Sequence, residues 1–312
     1  MMSAKIFVNL KRFDVPVSMG GVCQKECPKE WAEWIVKDCV ESGLAADPAV
    51  EIAVMFPESL VIPAAAALKK YPAEKTASLK IGCQGVFRQD VAKGGNFGAF
   101  TTNKPAAAVK NTGADWAIIG HSEERKDKFD IIAAYDGNVN DHMDAMKRAK
   151  AAVDRLINEE AACALKQGIK VLLCVGESAE EKGEGEFEVQ KPRIEETLKG
   201  QLQRSLNGLG AYNPDSSLVI GYEPIWAIGP GKVPPGKEYI EFVSKTIKRL
   251  VKEMFAFTPH VVYGGGLKEE NAAMIASIDT IDGGLIALTR FAGDIGFYPD
   301  EFKKIVENYL GR

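Results

Sequence analysis

The segment SLVIGYEPIWAIGPGKVPPGKEYIEFVSKTIKRLVKEMFAFTPHVVYGGG, residues 217–266, decides the fold. It opens on a short Val/Ile/Leu-rich run with little polar alternation, the pattern of a strand buried on both faces. A Gly- and Pro-rich loop follows. Next comes a stretch with apolar residues at 239, 240, 243, 247, 250, 251 and 254, one face of a helix. A second buried-strand run, HVVYGGG, closes the segment. Two strands joined through a helix of that length are parallel, because the crossover returns the chain to the same end.

The same unit recurs in both directions. KIFVNLK (5–11), EIAVMFP (51–57), LKIGCQG (79–85), DWAIIGH (115–121) and KVLLCVGE (170–177) precede it, and GGLIALTR (283–290) follows. Helical patterns lie between them; the one starting at Pro28 has its proline at a favourable first-turn position. Eight strand–helix units in a row predict an α/β fold, a single-domain (β/α)8 barrel over residues 1–312. An open doubly wound sheet is the alternative, but no G-x-G-x-x-G turn follows the first run. One spacing is long. Between 122 and 169, Met143, Met146, Ala149, Val153, Leu156 and Ile157 keep helical spacing. They predict an extended helical insertion, roughly 130–158, packed on the barrel between strands four and five.

Composition narrows the functional classes. Apolar residues make up 46%, enough for a large core and against disorder. Lys and Arg number 39 against 43 Asp and Glu, so the net charge of −4 argues against a nucleic-acid partner. No apolar run approaches the ~18 residues of a membrane span. The start, MMSAKIFVNLKRF, lacks the apolar stretch of a secretory signal, so a cytoplasmic protein is expected. Six cysteines are scattered, and Cys23 and Cys27 lack a second Cys or His pair nearby. With three histidines in the chain, neither a metal nor a cofactor is expected.

In barrels of this class the chemistry sits at the carboxyl ends of the strands. That rule selects Asn9 and Lys11, then His121 with Ser122 and Glu123, then Glu177, then Glu223 with Pro224. It also selects Gly264-Gly265-Gly266 and Thr289-Arg290. Each has an ordinary reading alone: a solvated lysine, a hydrogen-bonded histidine, an ion-paired glutamate, a tight glycine turn. Together they would bring a cation, an imidazole, a carboxylate and an anion pocket to one mouth. Such a set suits proton transfer beside the carbonyl of a small phosphorylated molecule.

These residues carry a resemblance. YEPIWAIGPGK (222–232), IIGHSEER (118–125) and VNLK (8–11) resemble motifs of the triosephosphate isomerase family, and GAFT (98–101), CVGE (174–177) and YGGG (263–266) fall in the matching order. The resemblance implies a TIM barrel and an intramolecular aldose–ketose isomerase of glycolysis and gluconeogenesis. It makes Glu223 the base and His121 a neutral imidazole that polarises the carbonyl, as is known of the family. Lys11 and Asn9 would steady the enediolate oxygens. Pro224 to Lys232 would be a lid, with Trp226 at its hinge end, Ile228 covering Glu223 and the Gly229 amide facing phosphate. A homodimer is implied as well, with Gly98–Thr101 inserting beside the partner's first strand and Glu123 lying near Lys11.

The phosphate end departs from the family. Gly266 stands where the family has Ser, and Ala287-Leu288 stand where it has Gly-Gly. Gly265, Gly266, Leu288, Thr289 and Arg290 are the candidate phosphate contacts. Arg290 would replace lost amides by a bidentate contact, or else form a surface ion pair. The expected substrates are glyceraldehyde 3-phosphate and dihydroxyacetone phosphate. A tetrose such as erythrulose phosphate is the alternative, and a non-catalytic phosphosugar-binding protein is a further one.

Overall fold

A computed structural model describes residues 3–229 and 231–312, so Pro230 of the expected lid lies outside the described residues. Eight parallel strands close into a barrel in chain order. They are β1 (Ala4–Asn9), β2 (Val50–Phe56), β3 (Leu79–Cys83), β4 (Trp116–Ile119), β5 (Lys170–Val175), β6 (Leu218–Tyr222), β7 (His260–Tyr263) and β8 (Gly283–Ile286). Each falls inside or within one residue of a run read from the sequence. The helices are α1 (Pro28–Glu41), α2 (Glu58–Leu68), α3 (Ala106–Asn111), α4 (Ser122–Tyr135), α5 (Met143–Lys166), α6 (Ala179–Lys182), α7 (Phe187–Ser205), α8 (Pro214–Ser217), α9 (Lys237–Phe255), α10 (Ala272–Ala276) and α11 (Pro299–Tyr309). No described helix is long and apolar enough to cross a membrane.

Both faces of each strand are apolar because each faces a core. Phe7, Met55, Trp116, Ile118, Leu172, Cys174, Val219, Val262 and Leu285 fill the barrel interior. Their neighbours Ile6, Val8, Val54, Ile119, Leu173 and Ile220 point outward into the layer beneath the helices. Alternation along a strand thus moves a side chain between two cores rather than from core to water. Ion pairs gather at the amino ends. Glu51 takes Lys5 at 2.6 Å and Lys170 at 3.4 Å, and accepts the Trp116 indole N–H at 3.2 Å.

The long segment before β5 differs in detail from the 130–158 insertion read from the sequence. It comprises α4 and α5, joined through 136–142, so the expected limits cut through both helices. The second helix belongs to the barrel's ring: Val153, Ile157, Ala161, Ala164 and Leu165 are buried against it. Helical periodicity located the buried stripe of α5. It did not register α4, which has no fully buried residue to mark a face.

Closure depends on β8 beginning with two glycines. A Cβ at Gly283 would lie 1.8 Å from the carbonyl oxygen of Lys5, and one at Gly284 would lie 2.7 Å from the Leu267 side chain. Gly283→Ala therefore forces β1 and β8 apart. Overpacking of this kind costs about 3 kcal/mol or more, and the melting temperature should fall by roughly 6 °C or more. Thermal unfolding followed by circular dichroism checks this, and an unchanged melting temperature would contradict the packing at the seam.

Candidate active site

Asn9 ends β1, and its Oδ1 accepts the backbone N–H of Lys11 at 3.0 Å. That turn holds Lys11 at φ 43°, a left-handed conformation uncommon for a residue with a side chain. Gln84, the residue after β3, donates to the Lys11 carbonyl at 2.7 Å and so secures the strained turn. The Lys11 ammonium meets Glu123 Oε1 at 2.6 Å. Partial burial works against ionisation of Glu123, but the hydrogen bond and charge of Lys11 hold its carboxyl below the usual range.

His121 is the residue that caps α4. Its Nδ1 accepts the backbone N–H of Glu123 at 3.4 Å, which leaves the proton of the neutral ring on Nε2. Nε2 lies 3.1 Å from Oε1 of Glu223. Glu223 follows β6 and is 2% exposed. Its Oε2 accepts the Ser122 backbone N–H at 3.0 Å and its Oε1 the Ser122 hydroxyl at 3.3 Å. The amino end of α4 thus supplies backbone, hydroxyl and imidazole donors to one buried carboxylate. Asn9, Lys11, Gln84, His121 and Glu123 line a cavity of about 400 Å³ with Ile118. Arg12 also borders it, but its guanidinium is taken by Asp14 at 2.9 Å and Glu58 at 3.2 Å.

The segment from Pro224 begins with a short turn, Ile225–Ala227. The Trp226 indole donates to Glu177 Oε1 at 2.8 Å, and the same oxygen accepts the hydroxyls of Tyr222 at 3.0 Å and Tyr239 at 2.8 Å. Glu177 is fully buried, and burial raises its pKa against the pull of these donors. Trp226 is therefore tied to β5 and α9. Further along, Ile228 is half-buried, while Gly229 and Lys232 are exposed, Gly229 at φ 119°.

At the other end of the mouth the Gly triplet runs past Glu223. A Cβ on Gly264 would fall 3.0 Å from Glu223 Cγ, and one on Gly265 would fall 2.2 Å from the Tyr263 hydroxyl. Leu288 is half-buried. The expectation that Arg290 presents its fork to a phosphate is corrected here. Its Nε and Nη2 donate to Glu301 Oε1 at 2.8 and 2.5 Å, and its guanidinium lies 3.8 Å over the Tyr298 ring. The backbone amides of Thr289 and Arg290 are also engaged, both on the carbonyl of Gly296 at 3.1 Å. The Thr289 hydroxyl accepts the Tyr298 N–H at 2.9 Å. A nearby acid on α11 and a returning loop took these donors, and neither is visible from the spacing of the β8 motif.

Two further residues escaped the sequence reading. Arg125 donates to the carbonyls of Gly120 at 2.7 Å and Cys174 at 2.9 Å, joining the ends of β4 and β5. Asp154 receives Arg125 at 2.6 Å and Arg204 at 2.8 Å. The available signal was an acid at position 154 inside the apolar stripe of α5.

This barrel, with an acid, an imidazole and a lysine gathered by its strand ends, has the form of a sugar-phosphate isomerase. The sequence model of one family, described as triosephosphate isomerase, matches residues 37–308. The chain belongs to the triosephosphate isomerase family, and it is an isomerase of the aldose–ketose type. A triosephosphate isomerase of Lactiplantibacillus plantarum is 33% identical over 240 residues, 76% of this chain and 78% of the relative. One of Lactobacillus helveticus is 31% identical over 286 residues, 90% of this chain and 93% of the relative. The crystal structure of triosephosphate isomerase from Bartonella henselae superposes with a TM-score of 0.66 at 20% identity, covering 98% of this chain and 99% of that one.

Behind His121 lies a chain of three ionisable groups, two half-buried and one buried. Glu124 Oε2 accepts the Gly120 N–H at 2.6 Å, its Oε1 meets Lys128 at 2.7 Å, and Lys128 meets Glu160 at 3.0 Å. Glu160 is 4% exposed. Burial, then the neighbouring Glu124 charge, push its pKa up to about 9. An unfolded carboxyl loses its proton near ~4.3. Between these limits the native state holds a proton that the unfolded chain does not, so this residue's contribution to stability is lost as pH rises toward 9. Glu160→Gln keeps the neutral shape. Its melting temperature should match the parent at pH 4 and exceed it increasingly up to pH 9, measured by scanning calorimetry. A difference independent of pH would contradict the assignment.

Proposed function

We propose that this chain interconverts glyceraldehyde 3-phosphate and dihydroxyacetone phosphate, with Glu223 as the base. The observation that carries the reading is the contact at 3.1 Å between the buried Glu223 carboxylate and Nε2 of His121, which lines one cavity together with Lys11. Glu223 removes a proton from the carbon beside the substrate carbonyl. His121, neutral and protonated on Nε2, donates to the carbonyl oxygen and then moves a proton between the two oxygens. Lys11 and Asn9 offset the negative charge of the enediolate, which develops fully only near the transition state. Ser122 holds the Glu223 carboxylate in its resting position, and Glu123 holds the Lys11 ammonium. Substrate must compete with Glu223 for His121 Nε2, so binding frees the base as it engages the acid.

An enediolate phosphate eliminates phosphate when water and free rotation are allowed. The lid from Pro224 to Lys232, hinged at Trp226, excludes solvent, with Ile228 over the base and the Gly229 amide on phosphate. Gly265, Gly266 and Leu288 supply the remaining backbone around the phosphate. The relatives named above are triosephosphate isomerases, and no observation favours a tetrose phosphate or a catalytically silent binding protein.

Association into a homodimer is part of the same reading. Phe97 is 80% exposed on the loop after β3, with Val17 at 61% and Met19 at 75% on the loop after β1. Phe100 of the expected inserting segment is instead half-buried, its ring 5.3 Å from Phe87. Exposed apolar side chains on the loops after β1 and β3 fit a partner's surface. Light scattering should give twice the chain mass at assay concentration, and a fully active monomer would defeat the dimer.

Glu223→Gln should lower turnover by about 10²- to 10⁴-fold, because the amide cannot take a proton. Sugar-phosphate binding, followed by calorimetry, should persist. Near-normal turnover in a clean preparation would remove Glu223 from the base role.

A further inference from the structure

The loops after β7 and β8 meet where Lys268 lies against Phe291. Gly266 takes φ 91°, and Lys268 folds back across it: its Cε lies 3.9 Å from where a Gly266 Cβ would stand. Asn271 pins this turn, accepting the Lys268 N–H at 2.8 Å and donating to the Gly266 carbonyl at 3.0 Å. The Lys268 ammonium rests 4.1 Å above the ring of Phe291, which is 53% exposed on the β8 loop. That loop is braced by the short antiparallel bridge between Arg290 and Gly296. Lys268 is half-buried, and among the described residues it has no ion pair. By contrast, Arg290 is bound to Glu301, and the amides of Thr289 and Arg290 are bound to Gly296.

We propose that Lys268 is a specificity-determining residue that binds the substrate's phosphate, with the face of Phe291 as its resting place in the free protein. This rests on the isomerase reading above. In barrels of this class the loops after the seventh and eighth strands form the usual phosphate pocket, and Lys268 spans those two loops. The triplet Gly264–Gly266 leads from Glu223 to the lysine, so base and ammonium lie at opposite ends of one run of backbone. An ammonium resting on a half-exposed ring face is held weakly, whereas a phosphate dianion offers it charge-assisted hydrogen bonds. The flexible stem of lysine lets the point charge follow the phosphate as the lid closes, which a rigid fork does less well. Lys268 also stands beside Gly266, where the sequence lacks the family's serine hydroxyl, and so supplies a donor there by another route.

The test is steady-state kinetics on Lys268→Met, with inorganic phosphate as competitive inhibitor. KM for triose phosphate and the inhibition constant of phosphate should both rise roughly ten- to a hundredfold, with kcat changed little. Lys268→Arg should recover part of the loss, because charge is retained. Values of KM and phosphate inhibition within twofold of the parent in Lys268→Met overturn the proposal. So does a fall in kcat at unchanged KM. If the parent protein fails to isomerise triose phosphate, the triose-phosphate reading fails. Calorimetry with inorganic phosphate then still decides the site: binding that weakens in Lys268→Met supports it, and equal binding in the two proteins overturns it.

Discussion

The pairing of β1 with β8 is the contact on which the rest of the molecule depends. It closes a sheet in which every strand runs the same way, so all eight carboxyl ends open on one mouth. Lys11 and Glu123 are 112 residues apart in the chain, and Ser122 and Glu223 are 101 apart, yet each pair is in hydrogen-bonding contact. The ordering cost of bringing such groups together is met in folding, by strand ladders and two apolar cores, rather than during each reaction cycle. Glycines at 283 and 284 make the seam possible because backbone and the Leu267 side chain occupy the space a side chain would need.

Around that frame the protein wholly or partly buries several acids and treats each differently. Glu51 faces two lysines and stays charged below the usual range, the cations outweighing burial. Asp154 sits between two arginines. Glu177 has neutral donors only, from one indole and two phenols, and burial raises its pKa. Glu160 has one lysine shared with a second acid and keeps its proton. Glu223 faces an imidazole and the backbone N–H and hydroxyl of Ser122 at the start of a helix. A buried carboxylate held by few, exchangeable partners can be released to a substrate. One locked between two guanidinium groups serves as a strut.

The amino end of α4 joins the two halves of the site. Its capping histidine turns one ring nitrogen to the helix backbone and the other to Glu223, so capping sets the tautomer that the acid meets. The peptide of Gly120 just before it is gripped on both sides, its N–H by Glu124 and its carbonyl by Arg125. At φ 77°, with the Cys174 carbonyl 3.0 Å from any Cβ, that position favours glycine. The imidazole is therefore placed by backbone geometry rather than by packing of the ring alone.

Much of this was legible in the chain. Eight apolar runs separated by helical periods specify a parallel barrel, because strands buried on two faces cannot alternate with polar residues. The barrel rule then turns the residues after each run into site candidates, Asn9, Lys11, His121 and Glu223 among them. What the chain did not reveal was the partner of each group. Arg290 stands in the right place in the sequence, but Glu301 lies eleven residues on and captures it. Gln84 and Arg125 join strand ends through bonds that span 73 and 49 residues and leave no periodic trace. The division has a physical cause. Burial and periodicity are averages over many residues and are written locally, whereas a hydrogen bond depends on the angle and distance between two atoms, which only the closed barrel sets.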